Sequence, residues 1–453
     1  MSVYINRILN MKKIKAIGID MDYTLVEYNS EAFERVTFHA AISKLIEQKK
    51  YPKEIKKLKF NFKRVIQGLV IDKKRGNILK LSRFGKVKQC FHGTKQIPFR
   101  KQQELYQQRI IELGDDNYYS LDTNFSISNG VLYMQLVELK KNISTLPDFD
   151  QMALDVREMI DLAHRDGTLK GEVSQNLKKY IIRDPRISHL LEKYKRFGKK
   201  ILLITNSDFH YTKTLLNYTI TPFLKEHECW SDLFDIVVTQ SQKPDFFTSG
   251  SYFLEIEQDT GKMTNTEKRI TSGIYQGGNA QKIQRDLNLK SDEILYLGDH
   301  IYGDVVAIKK TVNWRTALVL DPLKEEVDGL KRTKKLETIL NKDMQKKELL
   351  EQKINLAHSS KLKQNNKKLE QRISRLYLEL EALDKKISNQ ITTYQKHFNP
   401  FWGELMRSGH EESRFADQVE KYACVYVTRV ADLFECSPRS YFRPKKRYLP
   451  HEY

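Results

Sequence analysis

The 453-residue sequence predicts an α/β fold: a doubly wound, mostly parallel sheet carrying a long helical arm. Three observations predict it. Four short apolar runs each end in acidic, hydroxyl or basic residues, as buried parallel strands do when they deliver side chains to one sheet edge. Strand and helix signals alternate from about 150 to 322. Beyond Pro322 the chain turns polar, with apolar residues at helical spacing.

The first run, residues 14–19, leads into Asp20-Met21-Asp22-Tyr23-Thr24-Leu25, and a helix is expected over 31–48. Residues 50–150 hold hairpin-like pieces at 68–72, 77–81 and 86–91. The second run, 201–204, ends in Thr205-Asn206-Ser207-Asp208, and the third, 235–239, is followed by Lys243-Pro244. The fourth, 294–297, opens Gly298-Asp299-His300-Ile301-Tyr302-Gly303-Asp304. Carboxylates just past strand ends lie at the carboxyl edge of a parallel sheet, where open α/β folds bind ligands. If the first and fourth strands are neighbours, four carboxylates converge. That density of charge is tolerable around a cation or with shifted pKa values, so Mg²⁺-dependent chemistry is expected.

After Pro322, Leu330, Leu336, Ile339, Leu349, Ile354, Leu369, Ile373, Leu376, Leu380, Leu383 and Ile387 recur at helical spacing. They predict a helical hairpin or coiled-coil arm without catalytic residues, serving packing or subunit contact. The remainder, rich in Tyr, Phe and Arg, is expected to pack on the core.

Composition narrows the function classes. The length is ample for a sizeable core. No apolar run reaches the roughly 18 residues of a membrane span, and no secretory signal is evident, so no membrane partner is expected. Four scattered cysteines (Cys90, Cys229, Cys424, Cys436) lack metal-ligand spacing and suit a reducing, cytoplasmic setting. The net charge is +20, much of it in residues 49–101 and 324–396. It suits phosphorylated substrates, whereas the spread of lysines and the lack of a nucleic-acid module argue against direct nucleic-acid function.

The chain order Asp-x-Asp-x-Thr, hydroxyl, Lys, Asp pair, each after a strand, resembles the haloacid dehalogenase superfamily of phosphohydrolases. The likeness extends to the cytosolic purine 5′-nucleotidases that prefer IMP and GMP. It is carried by residues 20–25, 68–72 with 76–80, 205–208, 243–247, 296–304 and the stretch from Phe415-Ala416 to Pro450-His451-Glu452. The resemblance implies a Rossmann-like core in two parts, 1–48 and 151–322, with a cap inserted at 49–150. The arm spans 323–398 and a C-terminal segment 399–453.

It also implies roles. Asp20 is the nucleophile that forms an aspartyl-phosphate, and Asp22 the acid and then base. Mg²⁺ is held by Asp20, Asp299 and the main-chain carbonyl of Asp22, with Asp304 orienting a bound water or pairing with Lys243. Thr205, Asn206, Ser207 and Lys243 meet the phosphate. A second division of roles, with Asp20 and Asp22 both ligands in a metal-only phosphatase, also accommodates the acidic residues. Arg157, Asp161 and His164, at helical spacings of four and three, with Lys170 and Phe125, are the expected substrate contacts. Asp161 accepts from a purine N–H, Arg157 donates to a 6-oxo group, and His164 and Phe125 flank the base.

The sequence departs from the family pattern in lacking an acidic tail. Asp122 also stands where a neutral amide is expected near Tyr302 and Lys310, which argues against nucleotide effectors. Three classes follow: a purine-nucleotide 5′-phosphohydrolase, with nucleosides as phosphate acceptors and a homo-oligomeric state expected; a phosphatase for another small ester; and a basic, non-catalytic nucleic-acid binder.

Overall fold

A computed structural model describes residues 3–361, 367–446 and 450–452. The chain divides into two compact units, Met1–Asp321 with Leu405–Tyr453, and Pro322–Glu404.

The larger unit begins with β1 (Val3–Ile5), β2 (Ala16–Ile19) and α1 (Ser30–Lys49). A five-stranded excursion follows: β3 (Leu69–Asp72), β4 (Asn77–Leu81), β5 (Val87–His92), β6 (Lys95–Gln96) and β7 (Tyr118–Leu121). Helices α2 (Ile127–Lys140), α3 (Phe149–Arg165), α4 (Thr168–Gln175) and α5 (Pro185–Arg196) lead back to β8 (Lys200–Ile204), α6 (Phe209–Thr219) and β9 (Ile236–Thr239). Then come β10 (Phe253–Ile256), β11 (Met263–Asn265), β12 (Gly273–Gly277), β13 (Ile294–Gly298) and β14 (Arg315–Val319). The smaller unit supplies α7 (Leu323–Lys361) and α8 (Lys367–Gln395), after which α9 (Arg414–Tyr422) and β15 (Val425–Val427) return to the larger one.

Ten strands form the main sheet in the order β1-β15-β14-β13-β2-β8-β9-β12-β10-β11. The seven from β15 to β12 run parallel, and β1, β10 and β11 are added antiparallel. Alternation places Ile17, Ile19, Ile201 and Leu203 in one core and Ala16, Leu202, Ile204 and Ile236 in another. Both faces of the central strands are therefore buried, as doubly wound sheets require. In register, Ile19 lies opposite Leu203 on one side and Leu297 on the other. Asp20, Thr205 and Asp299 consequently leave the sheet at one edge.

The excursion is an antiparallel sheet ordered β6-β5-β4-β3-β7, with its own small core of Val70, Leu79, Leu81, Cys90 and Tyr106. α3 packs against both α1 and α2. The C-terminal segment does more than cover the core, because β15 becomes a strand of the main sheet between β14 and β1.

In the smaller unit α7 and α8 lie side by side. Residues 362–366, between them in sequence, lie outside the described residues. Burial falls on Leu350, Ile354, Ala357, Ile373 and Ile387, whereas Leu330, Ile339 and Leu349 are exposed. The predicted apolar stripe is thus right for Ile354, Ile373 and Ile387 and off-face for those three, because spacing identifies a helix more securely than its buried face. Buried Asp343 joins the helices through Lys386 (2.7 Å) and Gln390 Nε2 (2.9 Å). Among the described residues no helix is long and apolar enough to cross a membrane.

Candidate active site

The site is built where β2, β8, β9 and β13 end. The Asp20 N–H donates to Leu297 O (2.9 Å), continuing the β2–β13 pairing one residue further, and Leu25 N returns to Asp20 O (3.2 Å). Asp20 is therefore fixed at the mouth of a tight loop, 8% exposed. Asp299 follows β13 and is also buried. Asp304 arrives through the π-helical turn Ile301–Val306, with His300 N–H donating to its Oδ2 (3.2 Å).

Lys243 closes the group. Its Nζ lies 2.7 Å from Asp20 Oδ1 and 3.0 Å from Asp304 Oδ1, and donates to the Tyr296 hydroxyl (3.0 Å). That hydroxyl donates in turn to Ile204 O (3.2 Å). Burial alone would favour a neutral amine, but the Asp20 and Asp304 carboxylates outweigh it and hold Lys243 charged. Burial, with Asp304 and Asp22 behind it, pushes the Asp20 carboxyl up to about 7 against the pull of Lys243. Asp299 is raised as well, by burial first and then by Asp20 and Asp304.

Asp20, Asp299 and Asp304 each bring an oxygen to within 4.8 Å of the others. Among the described residues, Asp299 Oδ2 is buried with no hydrogen-bond partner. A buried anionic oxygen in that state is costly unless a cation meets it, and three hard carboxylate donors suit a hard divalent ion such as Mg²⁺. Asp22 stands apart from this trio. Its Oδ1 accepts from the Tyr28 hydroxyl (2.6 Å) and its Oδ2 from Ser207 Oγ (2.8 Å), while burial raises its pKa. Its carboxylate is thus engaged away from the trio.

The chain matches the 5′-nucleotidase family model over residues 3–453. It belongs to the 5′-nucleotidase family. Relatives include a 5′-nucleotidase domain-containing protein of Dictyostelium discoideum, 24% identical over all of this chain and 75% of that protein. Another is human 5′-nucleotidase domain-containing protein 2, 25% identical over all of this chain and 85% of the relative. Among solved structures, a predicted phosphoglycolate phosphatase of Haemophilus somnus aligns with TM-score 0.30 at 12% identity, covering 68% of this chain and 85% of its own. A HAD-hydrolase of Bacillus subtilis bound to magnesium aligns with TM-score 0.20 at 12% identity, covering 68% and 89%. This member of the 5′-nucleotidase family is a phosphate-ester hydrolase.

Within this 5′-nucleotidase family member, the expected residues divide into two groups. Asp20, Lys243, Asp299 and Asp304 converge, with Asp22 and Thr205 beside them. Thr205 Oγ1 is buried and accepts Ser207 N–H (3.0 Å), and no described residue takes its own proton. The Asn206 and Ser207 side chains are engaged within the protein. Asn206 spans the Lys243 backbone, accepting from its N–H (2.7 Å) and donating to its carbonyl (3.1 Å), and Ser207 is committed to Asp22. Lys170 pairs with Asp208 (2.6 Å), the residue that caps α6.

The proposed base contacts are less assembled. Arg157 and Asp161 share a face of α3, 3.9 Å apart, and both side chains are more than half exposed. The Arg157 guanidinium covers the Tyr119 ring at 4.8 Å. His164 and Phe125 were expected on opposite sides of a base, but their rings meet edge to face at 5.3 Å. They close on each other, with no parallel slot between them. Burial lowers His164 to about 4, so it is neutral.

Sequence reasoning missed Tyr28, Tyr211 and Tyr296. Tyr296 had a signal, since a hydroxyl inside a central strand must find a partner. Tyr28 and Tyr211 meet only through the fold.

Proposed function

We propose that this chain is a Mg²⁺-dependent 5′-nucleotidase. It hydrolyses purine nucleoside 5′-monophosphates, IMP and GMP foremost, through a phosphorylated Asp20. The observation that carries the proposal is the buried set Asp20–Lys243–Asp304 beside the partnerless Asp299 oxygen. A buried ammonium beside a carboxylate nucleophile and further acidic ligands for a metal ion is a combination that supports phosphoryl transfer.

Asp20 attacks phosphorus in line, and the P–O5′ bond breaks with its electron pair leaving on oxygen. Asp22 delivers a proton to that oxygen and then takes one from the water that cleaves the aspartyl-phosphate. Lys243 stabilises charge gathering on the phosphoryl oxygens, and the Thr205 hydroxyl donates to one of them. Asp20, Asp299 and the Asp22 carbonyl would hold Mg²⁺, with Asp304 behind them; when bound, the ion supplies Lewis acidity and offsets repulsion between carboxylate and phosphate.

Purine reading is supported by the exposed Arg157–Asp161 pair, whose donor and acceptor match a 6-oxopurine edge. A second reading, a different small phosphate ester, is favoured by the closed His164–Phe125 pair. A phosphate-release screen over nucleotides and sugar phosphates, with and without Mg²⁺, separates the two. Asp20→Asn is nearly isosteric and should abolish release from every ester while the protein melts normally. Turnover above a few per cent of wild type in that variant would rule out Asp20 as the nucleophile.

A further inference from the structure

Resting on the reading of Asp22 as the proton donor, we infer that Tyr28, backed by Tyr211, is a positioning residue that aims the Asp22 carboxyl at the leaving oxygen. Tyr28 OH reaches Asp22 Oδ1 at 2.6 Å, and the Tyr211 hydroxyl lies 2.9 Å from Tyr28 OH. Ser207 holds the other carboxyl oxygen at 2.8 Å, so neither oxygen can turn without breaking a bond.

The phenol is itself immobilised. Tyr28 is 3% exposed, its ring stacked on Tyr23 at 4.8 Å and set edge-on to Phe33 at 5.2 Å. Its backbone pairs with Ile181 in a short antiparallel ladder. Tyr211 sits on α6, whose first turn is capped by Asp208, the partner of Lys170. Two separate elements therefore meet at one pair of hydroxyls and pin a side chain from a third. Asp22 needs such support, because it stands in the loop after β2 next to Tyr23, whose φ is +57°. A proton donor is effective only when its oxygen points at the atom receiving the proton, and loosening that aim loses rate without loosening binding.

The test is the dependence of kcat/KM on the leaving group, measured with phenyl phosphate, p-nitrophenyl phosphate and IMP. This parameter reports the step in which the ester bond breaks. p-Nitrophenolate departs without a proton, whereas phenolate and a nucleoside alkoxide depend on one. Tyr28→Phe should lower kcat/KM for phenyl phosphate and IMP about ten-fold while changing p-nitrophenyl phosphate less than about two-fold. Tyr211→Phe should show the same pattern more weakly, and the double variant should lose no more than Tyr28→Phe alone, since both act through one bond. An equal loss on all three esters, or no loss on phenyl phosphate, overturns the inference. Failure of wild type to cleave IMP while the aryl series behaves as described would instead remove the nucleotide reading and leave the positioning role standing.

Discussion

Asp20, Asp22, Asp299 and Asp304 are four copies of one side chain given different tasks by their surroundings. Asp20 and Asp304 share Lys243, Asp22 is held by two hydroxyls, and among the described residues one Asp299 oxygen is buried without a hydrogen-bond partner. Division of labour among identical groups by environment is how such sites combine nucleophile, acid and ligand. The proposed base recognition is tested at this scale too. A site that hydrogen-bonds its substrate discriminates against analogues that cannot make those bonds. Asp161→Ala should therefore raise KM for GMP by about ten-fold and narrow its advantage over AMP, with p-nitrophenyl phosphate unaffected. If Asp161→Ala slows all three equally, Asp161 is structural and the purine preference loses its basis.

At the scale of elements, the turn between β13 and the π-helical segment decides where Asp304 stands. A Cβ on Gly298 would lie 2.3 Å from Asp304 Oδ2 and 2.4 Å from its Cβ, an overlap that backbone and carboxylate cannot both absorb. Gly298→Ala should push Asp304 off Lys243 and lower kcat by about 100-fold, since small misplacements at a reacting centre are that costly. Gly303→Ala, whose nearest Cβ contact would be His300 at an ordinary 3.5 Å, is the matched control and should stay within about three-fold of wild type. Equal losses in both variants would remove the steric explanation.

Helices α1 and α2 are joined by a buried carboxyl, Glu34, whose Oε2 accepts Ser128 N–H at 2.7 Å. Burial pushes Glu34 from 4.5 up to about 8. Between those values the folded chain keeps a proton that the unfolded chain has released, so stability falls as pH rises through this window and levels off above it. Glu34→Gln keeps the acceptor and has no proton to lose. It should flatten the wild-type decline between pH 5 and 8 by on the order of a few kcal/mol in denaturant unfolding. Parallel stability curves for the two proteins would show that Glu34 does not titrate in this range.

For the whole molecule, charge is distributed unevenly. Residues 49–101 contain 18 Lys and Arg against two acidic residues, which accounts for most of the +20. This segment includes four of the five strands of the excursion sheet between α1 and α2, so the positive charge is concentrated in the inserted part of the chain. A phosphorylated Asp20 is indifferent to which hydroxyl attacks it. Incubating IMP with labelled guanosine should yield labelled GMP in competition with phosphate release. Absence of label at saturating guanosine would restrict the enzyme to water as acceptor.

Much of the convergence at the candidate site was legible in the sequence because strands followed closely by Asp, Thr and Lys are short-range patterns, and a parallel sheet sends all its strand ends to one edge. The sheet, the two-sided burial of its strands and the identity of Asp20, Asp299 and Lys243 follow from that local code. The particular bonds did not. Asn206 clamps the Lys243 backbone, Ser207 holds Asp22, and His164 meets Phe125, each through a partner 37 to 185 residues away. Likewise, helical spacing established that α7 and α8 are helices, while their buried faces depended on how they pack. Periodicity and composition act between neighbours along the chain, whereas the direction of a side chain is settled by contacts that exist only once distant segments have come together.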